Sequence, residues 1–126
     1  MSFWADITHF QPHEFDSPDV AGSGKTGMNE NFMRRLQMLR NLYRKPLTIS
    51  SGFRTAAYNK RIGGAENSLH LEGKAADIVV AGADAYELLG LAYTVGFKGL
   101  GLHQKGAWRQ RFLHLDLRDE PTIWSY

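Results

Sequence analysis

Strict alternation of apolar and polar side chains runs through residues 112–118, Phe112-Leu113-His114-Leu115-Asp116-Leu117-Arg118. Successive side chains of a β-strand point to opposite faces of a sheet, so the leucines share one face and His114, Asp116 and Arg118 share the other. The pattern predicts a strand with one face in the core and one face that carries ionisable groups. A strand that exposes an ion pair to solvent has the same pattern, so this segment alone leaves both interpretations open.

The preceding segment alternates in the same way: Gly99-Leu100-Gly101-Leu102-His103. If the two segments form a hairpin, a symmetric register sets Gly101 opposite His114. Glycine inside a strand often marks a close approach by a ligand or by another part of the chain. We therefore expect the glycines to leave room for a metal ion and substrate. His103 then borders the site as a substrate-binding residue, with an ordinary surface histidine as the alternative.

One carboxylate interrupts an apolar segment, Ala75-Ala76-Asp77-Ile78-Val79-Val80. Burial destabilises a charged carboxylate unless a cation compensates for it, and either a metal ion or an arginine would serve. His70 lies in the polar segment just before. Two imidazoles and one carboxylate, with a fourth position open to water, are typical of catalytic zinc sites. The candidate ligands of one zinc ion are therefore His70, Asp77 and His114, although cobalt, manganese or nickel would also bind in vitro.

The composition limits the kinds of site and partner. With 126 residues, 43% hydrophobic and 22% charged, the chain is expected to form a single domain over residues 1–126. It has no cysteine, which excludes disulfides and thiolate ligands, so a metal site must use His, Asp or Glu. The net charge is +2, with no run of five or more like charges, and we predict no nucleic-acid partner.

The secondary-structure signals predict an α+β fold with a small, mainly antiparallel sheet flanked by helices. Residues 1–27 read as an N-terminal arm of aromatic side chains that ends in a flexible loop. The expected helices start after Asn29 and end before Pro46, span residues 55–62, and span residues 83–95. The expected strands are at residues 47–50, 75–80, 98–103 and 111–117.

Residues 22–26, Gly22-Ser23-Gly24-Lys25-Thr26, look like the end of a phosphate-binding loop. The full pattern needs a glycine at position 19, where this chain has Asp19, and a buried strand leading in. Residues 15–20 do not form such a strand pattern. We therefore interpret residues 22–26 as a flexible loop without nucleotide.

Three segments together resemble the zinc D-alanyl-D-alanine carboxypeptidase superfamily, over about residues 28–118. They are Ser51-Gly52-Phe53-Arg54, Ser68-Leu69-His70-Leu71-Glu72-Gly73-Lys74-Ala75-Ala76-Asp77 and Phe112-Leu113-His114. The superfamily includes bacterial wall-trimming enzymes, phage endolysins and the hedgehog signalling domain. The likeness is greater to its small phage and bacterial members with a His-x-Asp strand. It implies a hedgehog/DD-peptidase-like fold.

The resemblance also implies roles for individual residues. His70, Asp77 and His114 match the zinc ligands. Arg54 matches an arginine that engages the substrate carboxylate or polarises the scissile carbonyl, and Ser68 matches a serine that lines the substrate site.

One position departs from the pattern. The best-known members have an acidic general base three residues before the last histidine, where this chain has Arg111. Asp116, on the same strand face as His114, is the nearest candidate for the base. It is equally placed to orient a ligand or to pair with Arg118. Glu66, Glu72 and Glu120 are weaker candidates.

The resemblance implies a zinc metallopeptidase that hydrolyses peptide bonds in peptidoglycan stem peptides or cross-links, of the D,D-carboxypeptidase or endopeptidase type. The alternative is a zinc-binding structural or binding module without catalytic activity, which the missing acid at position 111 favours.

Location and partners follow from weaker signals. Residues 1–6 lack the basic segment and apolar run of a signal peptide, and no apolar stretch reaches the roughly 20 residues of a membrane span. We expect synthesis in the cytoplasm, and a phage protein released at lysis or carried in the virion is the natural context. The expected partners are bacterial peptidoglycan peptides, and the expected oligomeric state is a monomer.

Overall fold

Five β-strands and four α-helices are present in residues 2–126, the part of the chain that this computed structural model describes. The strands are β1 (Thr48–Ser51), β2 (Ala75–Val79), β3 (Gly99–His103), β4 (Phe112–Asp116) and β5 (Thr122–Ser125). The helices are α1 (Ser23–Gly27), α2 (Glu30–Tyr43), α3 (Ala56–Arg61) and α4 (Gly82–Thr94). Short 3-10 helices lie at Phe3–Asp6, Pro12–Phe15, Leu69–Glu72 and Trp108–Gln110. The predicted α+β class is confirmed.

The strands form one sheet in the order β1-β2-β4-β3-β5. The pairs β1–β2, β2–β4 and β3–β4 are antiparallel, whereas β3 and β5 are parallel. The prediction of a mainly antiparallel sheet is therefore corrected to a mixed sheet. The reason is β5, which the sequence pattern did not predict. The chain reverses after β4 around Pro121, and because β3 already occupies that edge of β4, β5 pairs with the outer edge of β3 and runs parallel to it.

The register of the three inner strands places ionisable residues side by side. His114 on β4 lies directly opposite Asp77 on β2 and directly opposite Gly101 on β3. The symmetric hairpin predicted for β3 and β4 is confirmed. Because side chains directly opposite each other point to the same face, Asp77 and His114 lie next to each other at the centre of the sheet.

Helix α2 covers the other face of the sheet and has the predicted boundaries. The Asn29 side chain accepts a hydrogen bond from the Phe32 backbone N–H at 2.9 Å, which caps the first turn. The helix ends at Arg44, which has a left-handed conformation (φ 66°), two residues before Pro46. The side chains that face inward are all buried: Phe32, Met33, Leu36, Leu39 and Tyr43.

The core lies between this helix, α4 and the apolar face of the sheet. Leu113 and Leu115 of β4 are almost completely buried, as the alternation predicts, and Leu88 of α4 is buried with them. Phe32 of α2 packs edge-to-face against Phe97, with ring centroids 5.6 Å apart. The apolar face of β4 therefore holds the strand in place while its opposite face remains free for polar groups.

The N-terminal arm packs its aromatic side chains, Trp4, Phe10 and Phe15, into the same core. The flexible loop expected at residues 22–26 is instead part of the short helix α1. The Asp16 carboxylate orders this segment because it accepts hydrogen bonds from the backbone N–H groups of Gly22 (2.9 Å) and Gly24 (2.8 Å). These are the kind of backbone donors that a phosphate-binding loop directs at phosphate.

None of the helices within residues 2–126 combines the length and the apolar character needed to cross a membrane.

Leu36→Ala tests the assignment of the core. We expect it to lower the free energy of unfolding by about 2–5 kcal/mol, because Leu36 is fully buried and the surrounding residues only partly fill the space left. Leu42→Ala on the same helix, where the side chain is 50% exposed, should change it by no more than about 0.5 kcal/mol. Urea denaturation followed by circular dichroism measures both, and equal losses would contradict this packing.

Candidate metal centre

His70 is positioned by the short helix Leu69–Glu72 and by one backbone carbonyl. The Ser68 hydroxyl oxygen accepts a hydrogen bond from the His70 backbone N–H (3.2 Å) at the start of this helix. The His70 Nδ1–H donates to the Gly52 carbonyl oxygen at 2.7 Å, which fixes the tautomer and leaves a lone pair on Nε2. Nε2 is buried and has no hydrogen-bond partner within residues 2–126. It is therefore available to a metal ion.

Asp77 lies at the centre of β2 with its two carboxylate oxygens in different surroundings. Oδ1 lies 3.3 Å from His70 Nε2 and 3.0 Å from His114 Nδ1. Oδ2 lies 3.4 Å from the Nη2 atom of Arg54. An arginine therefore contacts one oxygen of this buried carboxylate, and two imidazoles suited to holding a metal ion contact the other.

His114 is held between two carboxylates. Its Nε2 lies 2.7 Å from Asp116 Oδ2, and because an ionised carboxylate can only accept, Nε2 carries the proton in a neutral imidazole. The lone pair then lies on Nδ1, which faces Asp77 Oδ1. Two lone pairs that meet at 3.0 Å repel each other unless a proton or a metal cation lies between them.

The three side chains together fit a metal ion. One ligand atom from each of His70, Asp77 and His114 lies within 4.8 Å of the others, and all three residues are buried. The lone pairs of two imidazoles thus point at one carboxylate oxygen. A cation relieves this repulsion, and two imidazoles with one carboxylate are the protein ligands of a zinc site that keeps an open position.

The pKa shifts in the cluster follow from opposing effects. Burial raises the pKa of Asp77, but the His114 and His70 imidazoles outweigh it and hold that pKa well below its usual range. Burial lowers the pKa of His114, whereas hydrogen bonds to Asp116 and Asp77 raise it, and the net shift is upward. Asp77 therefore remains ionised at neutral pH.

Asp116 is fully buried, and protein donors surround its carboxylate. Besides the His114 contact, Oδ1 accepts from the Arg118 backbone N–H (3.0 Å) and from Nε of the same arginine (2.9 Å), and Nη2 donates to Oδ2 at 2.6 Å. Burial raises the pKa of Asp116, but the hydrogen bonds from His114 and Arg118 lower it to about 2. Of the three roles left open for Asp116, these contacts match orientation of a ligand and pairing with Arg118.

The glycines of β3 are not the open space that the sequence led us to expect. A Cβ atom at Gly99 would lie 1.8 Å from Asp116 Oδ1, and one at Gly101 would lie 2.7 Å from the Trp124 ring. Side chains of the protein itself therefore fill the space beside these glycines. The prediction that another group closely approaches these glycines is confirmed, but the approaching groups are Asp116 and Trp124 rather than a metal ion and substrate.

A cavity of about 710 Å³ opens above the three candidate ligands. Arg54 and Ser68, both predicted from the sequence, line it. Its remaining walls are formed by residues 62–65, by Asn67 and Leu69, and by Phe112, Asp116, Arg118, Trp124 and Tyr126. The candidate ligands thus lie at the base of a cleft with room for a peptide segment.

His103 and Arg111 are not brought to the cavity. His103 lies opposite Phe112 in the β3–β4 register and stacks on its ring (4.9 Å between centroids), so that Phe112 lines the cavity instead. His103 therefore does not line the cavity, and its contact with substrate stays a prediction. Arg111 donates to the Gly106 carbonyl (3.0 Å) and lies over the Trp108 ring, away from the ligands. The three glutamates considered as bases, Glu66, Glu72 and Glu120, also do not line the cavity.

Sequence reasoning missed the contribution of the C-terminal strand to this cavity. Trp124 and Tyr126 both line it, and Trp124 contacts the His114 ring (5.1 Å between centroids). The segment from Thr122 to Tyr126, directly after Pro121, is rich in β-branched and aromatic residues, and this signal could have identified an additional strand. Trp124 and Tyr126 are two residues apart and therefore share one face of such a strand.

Two comparisons with known proteins agree with this geometry. A family model described as Peptidase M15 matches residues 8–116. The zinc D-Ala-D-Ala carboxypeptidase of Streptomyces albus G is 45% identical over 47 residues, which are 36% of this chain and 18% of that enzyme. The chain thus covers less than a fifth of that relative's length.

His70→Ala tests whether the cluster binds metal. We expect the affinity for Zn²⁺ to fall by more than the roughly 10–100-fold that loss of a supporting group causes, because a ligand itself is removed. Equilibrium dialysis against buffered Zn²⁺ measures this. His13→Ala, at an exposed histidine of the N-terminal arm, is the matched control and should retain one ion per chain. Equal zinc binding by both variants would show that the ion lies elsewhere.

Proposed function

Because the chain belongs to the peptidase M15 family, we propose that it is a zinc metallopeptidase that hydrolyses peptide bonds of bacterial peptidoglycan. The observation that carries the proposal is the convergence of His70 Nε2, Asp77 Oδ1 and His114 Nδ1 at the base of the cavity. A bound zinc ion supplies Lewis acidity and lowers the pKa of a coordinated water to about 7.

The reaction breaks the amide C–N bond of the peptide. The water oxygen bonds to the carbonyl carbon, one proton of the water ends on the leaving amine, and a carboxylic acid is the other product. The protein must hold the ion, bind the two ends of the scissile bond and stabilise the negative charge that develops on the carbonyl oxygen.

Arg54 is our candidate for binding the substrate. Its guanidinium is fixed by three protein acceptors: Ser51 Oγ (3.1 Å), Asn59 Oδ1 (3.2 Å) and Asp77 Oδ2 (3.4 Å). Asn59 is itself buried and donates to the Ala65 carbonyl at 2.8 Å. An arginine held in this way presents its charge to the cavity without reorganisation, and we propose that it engages a substrate carboxylate or the scissile carbonyl.

The relative and the cavity support the substrate class that we propose. The relative's name specifies D-Ala-D-Ala, a dipeptide that ends in a free carboxylate, and Arg54 gives the cavity a cation suited to one. We propose a D,D-carboxypeptidase or an endopeptidase acting on cross-links or on the L-Ala-D-Glu bond. A phage lysis enzyme or virion-borne hydrolase is the context we propose.

We propose that Asp116 orients His114 rather than acts as the general base. Its carboxylate already accepts from His114 and Arg118, and its pKa of about 2 makes it a poor proton acceptor at neutral pH. A carboxylate behind a ligating imidazole fixes the ring and increases its basicity. Ser68, which caps the helix that carries His70, has a comparable supporting role while its side chain lines the cavity.

One observation favours a second candidate function, a zinc-binding module without catalytic activity. Among the carboxylates of residues 2–126, Asp77 and Asp116 are the ones that line the cavity, and both are engaged by other side chains. The acidic base of the best-known superfamily members has no counterpart there. Such a module would bind zinc and peptides but leave them intact.

Hydrolysis of defined muropeptides separates the two functions. We expect the protein to release D-alanine or to cleave a cross-link or stem peptide, to lose this activity in a zinc chelator, and to regain it when Zn²⁺ is restored. Mass spectrometry of the products identifies the bond. Intact substrates in all three conditions, from protein that binds one zinc ion, would support the second candidate.

Asp116→Asn separates the roles proposed for this residue. If Asp116 orients His114, the zinc affinity falls by roughly 10–100-fold and excess Zn²⁺ restores much of the activity. If Asp116 is the base, zinc binding is normal and the activity stays low at every zinc concentration. Equilibrium dialysis and rate measurements over a Zn²⁺ titration distinguish the outcomes, with Asp119→Asn, at an acid outside the cavity, as the control.

A further inference from the structure

The C-terminal strand β5 contributes a wall of the cavity that lies beyond the family match, which ends at residue 116. β5 pairs with β3 in parallel, with Trp124 opposite Gly101. The Tyr126 backbone N–H donates to the Leu102 carbonyl at 3.1 Å and continues this pairing by one residue. Trp124 and Tyr126 therefore reach the cavity from a fixed backbone.

Trp124 is held tightly against the ligand strand. Its indole lies on Gly101, where even a Cβ atom would clash, and its ring centroid lies 5.1 Å from that of His114. The Arg118 guanidinium covers the indole at 4.5 Å. Tyr126 packs beside it, with its ring centroid 5.2 Å from that of Phe112 and 6.4 Å from that of Trp124.

The charged groups of the candidate active site affect the pKa of the Tyr126 phenol. Burial raises the pKa of Tyr126, and the charges of Asp77 and Arg54 act on it with opposite signs. The side chain is about half exposed, toward the cavity that it lines. The phenol is therefore protonated at neutral pH, and its own proton remains to be donated.

The other titratable donors that line the cavity already donate to protein atoms. Arg54 donates to three acceptors, and Arg118 donates to Asp116. His70 Nδ1–H donates to the Gly52 carbonyl, and His114 Nε2 is directed at Asp116. The N–H groups of Arg54 and Arg118 that remain free belong to charged side chains, so among the titratable groups of this cavity in residues 2–126 Tyr126 is the neutral side chain whose proton is available to a ligand.

We propose that the Tyr126 hydroxyl donates a hydrogen bond to the oxyanion that develops on the scissile carbonyl oxygen of a peptidoglycan peptide. This inference rests on the proposed function. No bond to Tyr126 forms or breaks, and its proton stays on the phenol throughout. A neutral donor suits this position because it stabilises the charge when it develops without binding the neutral carbonyl strongly, which raises kcat rather than lowering KM.

Tyr126→Phe is the test, because it removes the hydroxyl and keeps the ring that packs on Phe112. In the zinc-loaded protein we expect kcat to fall at least about ten-fold, with KM within about two-fold of the parent. Zinc stoichiometry and the unfolding midpoint should not change. Tyr93→Phe, at a tyrosine that is 74% exposed on α4 and does not line this cavity, is the control.

A second measurement does not need turnover. A phosphinate analogue of the dipeptide that the parent cleaves, or of D-Ala-D-Ala if it cleaves none, carries tetrahedral oxygens in place of the scissile carbonyl. Calorimetry on zinc-loaded protein should show that Tyr126→Phe binds this phosphinate at least about ten-fold more weakly than the parent.

The outcomes separate this inference from the proposed function. If the parent hydrolyses muropeptides and Tyr126→Phe matches it in kcat and in phosphinate affinity, the role of Tyr126 is overturned while the proposed function stands. If the parent binds the phosphinate without hydrolysis, the proposed function fails, and the phosphinate affinity of Tyr126→Phe still decides whether the hydroxyl contacts the oxyanion. A parent that neither hydrolyses muropeptides nor binds the phosphinate overturns both.

Discussion

The Asp77 carboxylate lies in the middle of an apolar strand at the centre of the sheet, and its charge must be compensated there. Loss of hydration makes a buried charge costly, so the residues around Asp77 are arranged to supply cations and polar contacts. Arg54 approaches from one side, and two imidazoles approach from the other. A metal ion completes this compensation, because both imidazoles present lone pairs rather than protons to the carboxylate in their neutral tautomers.

Fixing those lone pairs places further demands on the surrounding fold. The His70 ring is oriented by the Gly52 carbonyl, and the His114 ring is oriented by Asp116. Asp116 is then a second buried charge, which Arg118 neutralises through several hydrogen bonds. Its carboxylate occupies the space over position 99, so that position must be glycine. The buried charge of Asp77 thus constrains not only the two imidazoles but also residues that are not candidate metal ligands, such as Arg118 and Gly99.

Local patterns in the sequence were sufficient to predict the inner strands β2, β3 and β4 but did not predict the edge strand β5. Alternation in residues 99–103 and 112–118 predicted the shared face, because the side-chain period of a strand is two residues. With a symmetric hairpin assumed, it also predicted the register that sets Gly101 opposite His114. The alternation does not predict which group fills the space beside Gly99 and Gly101. At Gly101 that depends on β5, which pairs with β3 although each partner lies 23 residues later in the chain, and no local pattern specifies such a partner.

The division between the matched family region and the C-terminal segment has a physical meaning. Residues up to 116 include the candidate ligands and Arg54, whereas residues 118–126 supply the cation on Asp116 and the aromatic wall. Metal binding requires ligand atoms within a few ångströms of one another, and these come from the central strands β2 and β4 and from the short helix Leu69–Glu72. Within the wall, Trp124 contacts the His114 ring and fills the space over Gly101, so a change there would disturb a candidate ligand. Tyr126 packs on Phe112 and Trp124 instead, so its side chain can differ without disturbing the ligands. Function in such a domain is therefore decided by the site as a whole, including a strand that the family match does not reach.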